Sequence, residues 1–152
     1  MDRELIRRWN FKVQKDDSVI HLGDVAFMKI LKPKDYLDQL NGNVTIIKGN
    51  HDSRKTLEIL LTSATIHYSG IDIWLSHYPQ AMYRVNFCGH VHEKWKLQRV
   101  GPKVIVNVGV DQWDFYPVSI DEVFSFLNSE DIKVKLRRMN HKLKPSRASE
   151  NQ

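Results

Sequence analysis

The chain has 152 residues, room for one domain and not comfortably for two. An apolar content of 41% suits a globular core, while no apolar run is long enough to span a bilayer and Met1-Asp2-Arg3-Glu4 opens without the apolar stretch of a signal peptide. The formal charge of +5 is carried by residues 131–152, where seven Lys/Arg face two acids; residues 1–130 hold 16 of each sign. The single cysteine, Cys88, excludes an internal disulfide and fits a reducing cytoplasm.

In chain order, residues 3–9 predict a helix with Leu5, Ile6 and Trp9 on one face and charges on the other. Asp16-Asp17 makes a turn. Ser18–Leu22 and Val44–Ile47 predict interior strands, apolar on both faces, ending at Gly23-Asp24 and Gly49. Pro33 opens a short helix over Lys34–Leu40, closed by Asn41-Gly42-Asn43. A second helix is expected over Arg54–Leu61, with Leu57, Leu60 and Leu61 inward.

The texture then turns to β. Thr65–Tyr68, Ile71–Leu75, Val85–Cys88, Trp95–Val100 and Val104–Val108 predict short strands separated by Gly, Pro or polar turns. Ser119 with Glu122 forms a capping box for a final helix striped by Val123, Phe124 and Leu127. The order implies an α/β fold of two stacked β-sheets with helices outside. Residues 1–130 are expected to form the domain and 131–152 a basic tail. The tail reads as a solvated C-terminus, with weak electrostatic contact to nucleic acid or another polyanion as the alternative.

Four segments carry chemistry. They are His21-Leu22-Gly23-Asp24, Gly49-Asn50-His51-Asp52, Ser76-His77-Tyr78-Pro79 and Gly89-His90-Val91-His92. Taken singly each has a bland explanation. Gly-Asp is a common turn, and a histidine at a strand end is commonly structural. Yet all four follow predicted strands, at the sheet edge where α/β sites are built. The carboxylate of Asp24 can bridge two cations. Asn50 offers a neutral amide oxygen. His51 is free to face a substrate, and Asp52 can fix its tautomer. His90 and His92, two apart in an extended segment, would point to one side, with Gly89 allowing close backbone approach. Of the other histidines, His21 is expected in the core or behind the ligands, and His67 and His141 at the surface. Mixed nitrogen and oxygen ligands suit Mn, Fe, Zn or Ni and disfavour Ca or a thiolate site.

The order Gly-Asp, Gly-Asn-His-Asp, His, Gly-His-x-His resembles that of the calcineurin-like metallophosphoesterases. Leu5-Ile6-Arg7-Arg8-Trp9-Asn10, His21 to Phe27 and Asn107-Val108-Gly109-Val110-Asp111 are similar to a small bacterial and phage branch. The resemblance covers about residues 1–125. It implies a metallophosphoesterase-like four-layer sandwich, with phosphate mono- or diester hydrolysis by metal-activated water. By the same resemblance Asp24 bridges two metals, Asn50, His77 and His90 complete one of them, and His92 binds the other. His51 then acts near the leaving group, supported by Asp52. The family opens with a strand ending in Asp-x-His, and no Asp-x-His occurs here. The expectation is therefore a sheet lacking its first central strand, one tightly bound metal with a second held weakly, and an exposed sheet edge open to self-association. The alternatives are a non-catalytic single-metal module and a nucleic-acid-associated protein using the tail.

Overall fold

A computed structural model of the chain describes residues 2–25, 33–53, 57 and 61–129. The expected helix over Arg54–Leu61 falls almost wholly outside these residues, as do Ala26, Phe27, His141 and the basic tail. The chain divides into two compact units, Met1–Val118 and Ser119–Gln152.

The first unit opens with helix α1, Asp2–Lys12, longer than its apolar stripe alone requires. Leu5, Ile6 and Trp9 are half-buried on one face, and Val13 just beyond the helix is buried. The Trp9 indole donates to the Asn41 carbonyl at 2.9 Å, and the Asn41 amide donates to the Val13 carbonyl at 3.1 Å. These bonds fix the end of α1 to the turn between helix α2 (Pro33–Leu37) and strand β2 (Asn43–Ile46).

Strand β1 (Ser18–His21) pairs in parallel with β2, Val19 opposite Val44 and His21 opposite Ile46. Among the described residues these two form their own sheet, extended by a bridge from Ile47 to Leu61. Both strands were expected to be apolar and buried on both faces. Burial instead alternates, and Ile20 is 37% exposed. The face carrying His21 and Ile46 is covered, His21 stacking on Trp9 at 6.3 Å while Ile46 and Leu57 form a small cluster with Val25, Leu37 and Val44. On the other face Ile20 is open, but Leu22 and Ile47 just beyond the strands are buried.

The second sheet has five strands in the order β3-β4-β5-β7-β6. They are β3 (Ser63–Tyr68), β4 (Ile71–Ser76), β5 (Val85–Cys88), β6 (Leu97–Val100) and β7 (Lys103–Asn107). The inner three run parallel, and β3 and β6 lie antiparallel at the two edges. All of β5 is buried, as expected of a parallel strand covered on both faces. Strand β6 begins two residues later than the pattern predicts: Trp95 is extended after a 3-10 turn over His92–Lys94, but the pairing with β7 starts only at Leu97, opposite Val106.

The second unit, as far as it is described, is helix α3, Ile120–Ser129. The Ser119 hydroxyl accepts from the Glu122 backbone at 3.2 Å, and the Glu122 carboxylate accepts from the Ser119 N–H at 2.8 Å. This is the reciprocal cap that the sequence implies, and Val123, Phe124 and Leu127 are the buried stripe.

Candidate metal centre

The parallel strands β1, β2, β4 and β5 each release their chain at the same end, and each of the four motifs sits there. The two sheets meet at that end where the His77 Nδ1–H donates to the Leu22 carbonyl at 2.7 Å; within the second sheet, the Gly89 N–H donates to the His77 carbonyl at 3.1 Å and joins the loops after β4 and β5. A side chain at Gly23, where φ is +93°, would meet His77 Nδ1 at 2.9 Å and the Gly49 backbone. One at Gly49 would collide with the Asp24 carboxylate. The close approach expected at Gly89 is found instead at these two glycines. At Gly89 the nearest atom to an added Cβ is the Leu22 carbonyl oxygen, at an ordinary 3.6 Å.

This approach gathers four ligand atoms. His77 Nε2 lies 3.3 Å from Asp24 Oδ2, 2.8 Å from Asn50 Oδ1 and 3.2 Å from His90 Nδ1, and His90 Nδ1 is 3.1 Å from Asn50 Oδ1. Among the described residues, Asp24, His77 and His90 form a group whose ligand atoms all lie within 4.8 Å of one another. A first-row ion is held by such atoms at about 2.0–2.1 Å, and four around one point then stand roughly 3.3 Å apart. The residues therefore fit a small transition ion in both donor chemistry and spacing. Because His77 Nδ1–H is spent on Leu22, its tautomer leaves Nε2 bare toward the cluster. Burial, the neighbouring His77, and the more distant His92 and Lys94 hold His90 below its ordinary pKa, only partly offset by Asp24. The same cause, desolvation, lowers His21 against the pull of Asp52 and Asp24. Both shifts favour neutral imidazole.

Asp52 is nearly buried, and its carboxylate serves the backbone. Oδ2 accepts from Asp24 N–H at 2.7 Å and Gly49 N–H at 2.9 Å, and Oδ1 accepts from Val25 N–H at 3.0 Å. One side chain thus ties the loop after β1 to the loop after β2. Asp24, at φ +57°, is held in a left-handed conformation that costs free energy without such support. Its Oδ1 also accepts from the His51 N–H at 2.8 Å, while the His51 ring is exposed.

His92 takes a different place from the one its spacing predicts. The His-x-His segment is not extended: His90 and His92 have φ of +65° and +46°, so a period of two does not apply. His92 falls outside the cluster, and its Nδ1 lies 3.2 Å from Asp111 Oδ2. The His92 carbonyl accepts from the Asn107 amide at 2.6 Å and from Gln112 at 3.1 Å. His21 sits behind the site, its Nδ1 accepting from Gly23 N–H at 3.2 Å. His67 pairs with Asp72 at the surface, as expected.

Two buried asparagines outside the four motifs, Asn86 and Asn107 (the latter within the Asn107–Asp111 segment of the family resemblance), hold the loops at this end. Asn86, fully buried in β5, accepts from Gln80 N–H and donates to the Trp74 carbonyl and Ser76 hydroxyl, holding the loop after His77. Asn107, fully buried at the end of β7, holds the His92 loop. Their signal was an asparagine inside an apolar strand, Val-Asn-Phe-Cys and Val-Ile-Val-Asn. A buried amide persists only where its hydrogen bonds are met.

The chain is 31% identical over 137 residues to the uncharacterised protein MJ1445 of Methanocaldococcus jannaschii, covering 84% of this chain and 75% of that protein. The crystal structure of AQ665, a protein of unknown function from Aquifex aeolicus, aligns with a TM-score of 0.62 at 21% identity, over 82% of this chain and 84% of that one. That likeness is one of fold. An archaeal phosphodiesterase aligns more loosely, with a TM-score of 0.49 at 22% identity, over 71% of this chain and 74% of its own. The family model for the calcineurin-like phosphoesterase superfamily domain matches residues 2–115, a span that includes all four strand-end loops supplying the gathered ligand atoms, so the chain belongs to that superfamily.

Proposed function

We propose that the protein is a metal-dependent phosphoesterase that hydrolyses a phosphate mono- or diester. The observation that carries this is the convergence of Asp24 Oδ2, Asn50 Oδ1, His77 Nε2 and His90 Nδ1 at mutual distances of an ion's coordination shell. A divalent transition ion held there (Mn, Fe, Zn or Ni) would lower the pKa of its water to about 7 and draw charge from a phosphoryl oxygen. The protein's part is to hold the four ligands and aim them. His77 is fixed by Leu22, Asp24 by Asp52 and His51, and Asn50 by the turn between Gly49 and Asp52. The exposed His51 ring is assigned to the leaving oxygen, where it would stabilise or protonate it. His92 and Asp24 are assigned a second, weaker ion.

Metal content and rate test this together. Wild-type protein dialysed against Mn²⁺ should retain about one ion per chain, a figure taken from the ligand count. It should cleave p-nitrophenyl phosphate or bis(p-nitrophenyl) phosphate. His51→Ala should keep its metal and lose about 10²–10⁴-fold in rate, the usual worth of a general acid. His77→Ala should lose the metal. Two tightly held ions, or equal metal loss in both variants, would overturn the assignment.

A second reading has its own support in the position of His92 outside the gathered cluster: a single-metal module without catalysis. It is favoured if the metal is retained and neither ester is cleaved. The remaining expectations are a cytoplasmic location, self-association through the outer edge of β1 or β2, and weak nucleic-acid contact through the tail. Sedimentation and salt-dependent retention on DNA address the last two. No helix among the described residues is long and apolar enough to cross a membrane.

A further inference from the structure

Tyr78 directly follows the ligand His77 and is 47% exposed. Singly exposed aromatics are ordinary surface features. This one is set apart by where and how rigidly it is held. Its ring lies edge-on to His77 at 4.9 Å and tilted against His90 at 4.5 Å, so it stands beside two of the four gathered ligands. Its carbonyl accepts from the Ser76 hydroxyl at 2.8 Å, and that hydroxyl in turn accepts from the buried Asn86 amide at 2.9 Å. The loop that continues from it is pinned as well. Gln80 N–H donates to Asn86, the Trp74 indole donates to the Gln80 side chain, and Trp74 stacks flat on Tyr83 at 4.0 Å and 12°. The backbone that carries the ring therefore has little freedom to lose on binding.

We infer that Tyr78 is the platform on which a planar aromatic group of the substrate stacks while its phosphate sits at the Asp24–Asn50–His77–His90 cluster. The inference rests on the phosphoesterase reading and adds a substrate class to it: phosphoesters bearing an aryl group or a nucleobase. Aromatic rings attract at centroid separations of about 4.5–7 Å. The Tyr78 ring stands 4.9 and 4.5 Å from the His77 and His90 imidazoles, so a substrate ring stacked on it would lie beside a phosphorus held at the cluster. Preorganisation adds to the effect, since the backbone that carries the ring is already ordered before binding.

The test compares phenylphosphonate with cyclohexylphosphonate, of equal charge and similar size, by calorimetry on Mn²⁺-loaded protein. Wild type should favour the phenyl compound by about 2- to 12-fold, the worth of an aromatic pair beyond its area. Tyr78→Phe should keep the preference. Tyr78→Leu should erase it while retaining the metal. A second pair, adenosine monophosphate against ribose 5-phosphate, assigns the source: a Tyr78-dependent preference there indicates a nucleobase, and one confined to the phosphonates indicates a simple aryl ester. Equal binding of the two phosphonates by wild type, or a preference that survives in Tyr78→Leu, overturns the platform alone. Metal loss in Tyr78→Leu makes the ring a mere buttress of the histidines and also overturns it. If neither phosphonate binds metal-loaded wild type, the phosphoesterase reading falls and the platform with it.

Discussion

Replacing Asp52 should destabilise the metal-free protein before any question of catalysis arises. Its carboxylate is the shared acceptor for the N–H groups of Asp24, Val25 and Gly49, at 2.7, 3.0 and 2.9 Å. A hydrogen bond to a charged acceptor contributes about 1.5–3 kcal/mol, so three give an upper bound of roughly 5–9 kcal/mol. Asp24 and Val25 are only half-buried, and water can replace part of what is lost. The expected cost of Asp52→Ala is therefore about 3–5 kcal/mol, a large share of the ~5–15 kcal/mol typical of a domain. Asp52→Asn is the graded arm. Its amide oxygen can serve Asp24 and Gly49, which turns its NH₂ toward the Val25 N–H. That leaves one donor unmet and costs about 1–3 kcal/mol. The assay is urea unfolding of EDTA-treated protein at pH 7, followed by tryptophan fluorescence. In thermal unfolding each kcal/mol should appear as roughly 2–4 °C. If Asp52→Ala unfolds within about 1 kcal/mol of wild type, or Asn is as damaging as Ala, the clamp is wrong. A variant with lost rate and intact stability would instead return Asp52 to the role of orienting His51.

Three further outcomes follow from the same geometry. Gly49→Ala must displace the Asp24 carboxylate, so its Mn²⁺ affinity should fall at least about tenfold, the effect of disturbing a ligand's support, and unchanged affinity in a titration would contradict the packing. His21 and His90 have native pKa values pushed below 6.5, so as the pH falls below about 6.5 the unfolded chain takes up protons that the native state does not. Metal-free stability should therefore fall on acidification from that point, less steeply in His21→Gln; an identical slope in both proteins would refute the His21 contribution. Burial pushes the Cys88 thiol from 9.0 up to about 12, so the native state should resist iodoacetamide at pH 8.5, and stability should decline between about pH 9 and 12 as the unfolded thiol ionises. Fast alkylation without unfolding would show the thiol to be accessible.

Much of the architecture was legible because its signals are local. A run such as Val85–Cys88 between a polar turn and a glycine has few alternatives to a buried strand, and the structure places β5 at those bounds. The Ser119–Glu122 cap is a contact across one helical turn and needs nothing from the rest of the chain. That Asp24, Asn50, His77 and His90 would come to one edge was likewise readable, since a residue one to four positions past a parallel strand has only one sheet edge to occupy. What the linear order left undecided lies in the direction each side chain takes once the backbone leaves the strand. His92 was expected beside His90 on the assumption of extended backbone, but two left-handed residues turn it toward Asp111. That turn depends on Asn107, which lies fifteen residues along the chain in another strand. The sites of closest backbone approach, Gly23 and Gly49, and the three bonds to Asp52 depend in the same way on loops brought together by strand pairing. Periodicity and turn chemistry act over a few residues and so fixed the strands and the ligand types. Hydrogen bonds and contacts between loops distant in sequence exist only after the sheets form, and they alone decided which ligands share a point.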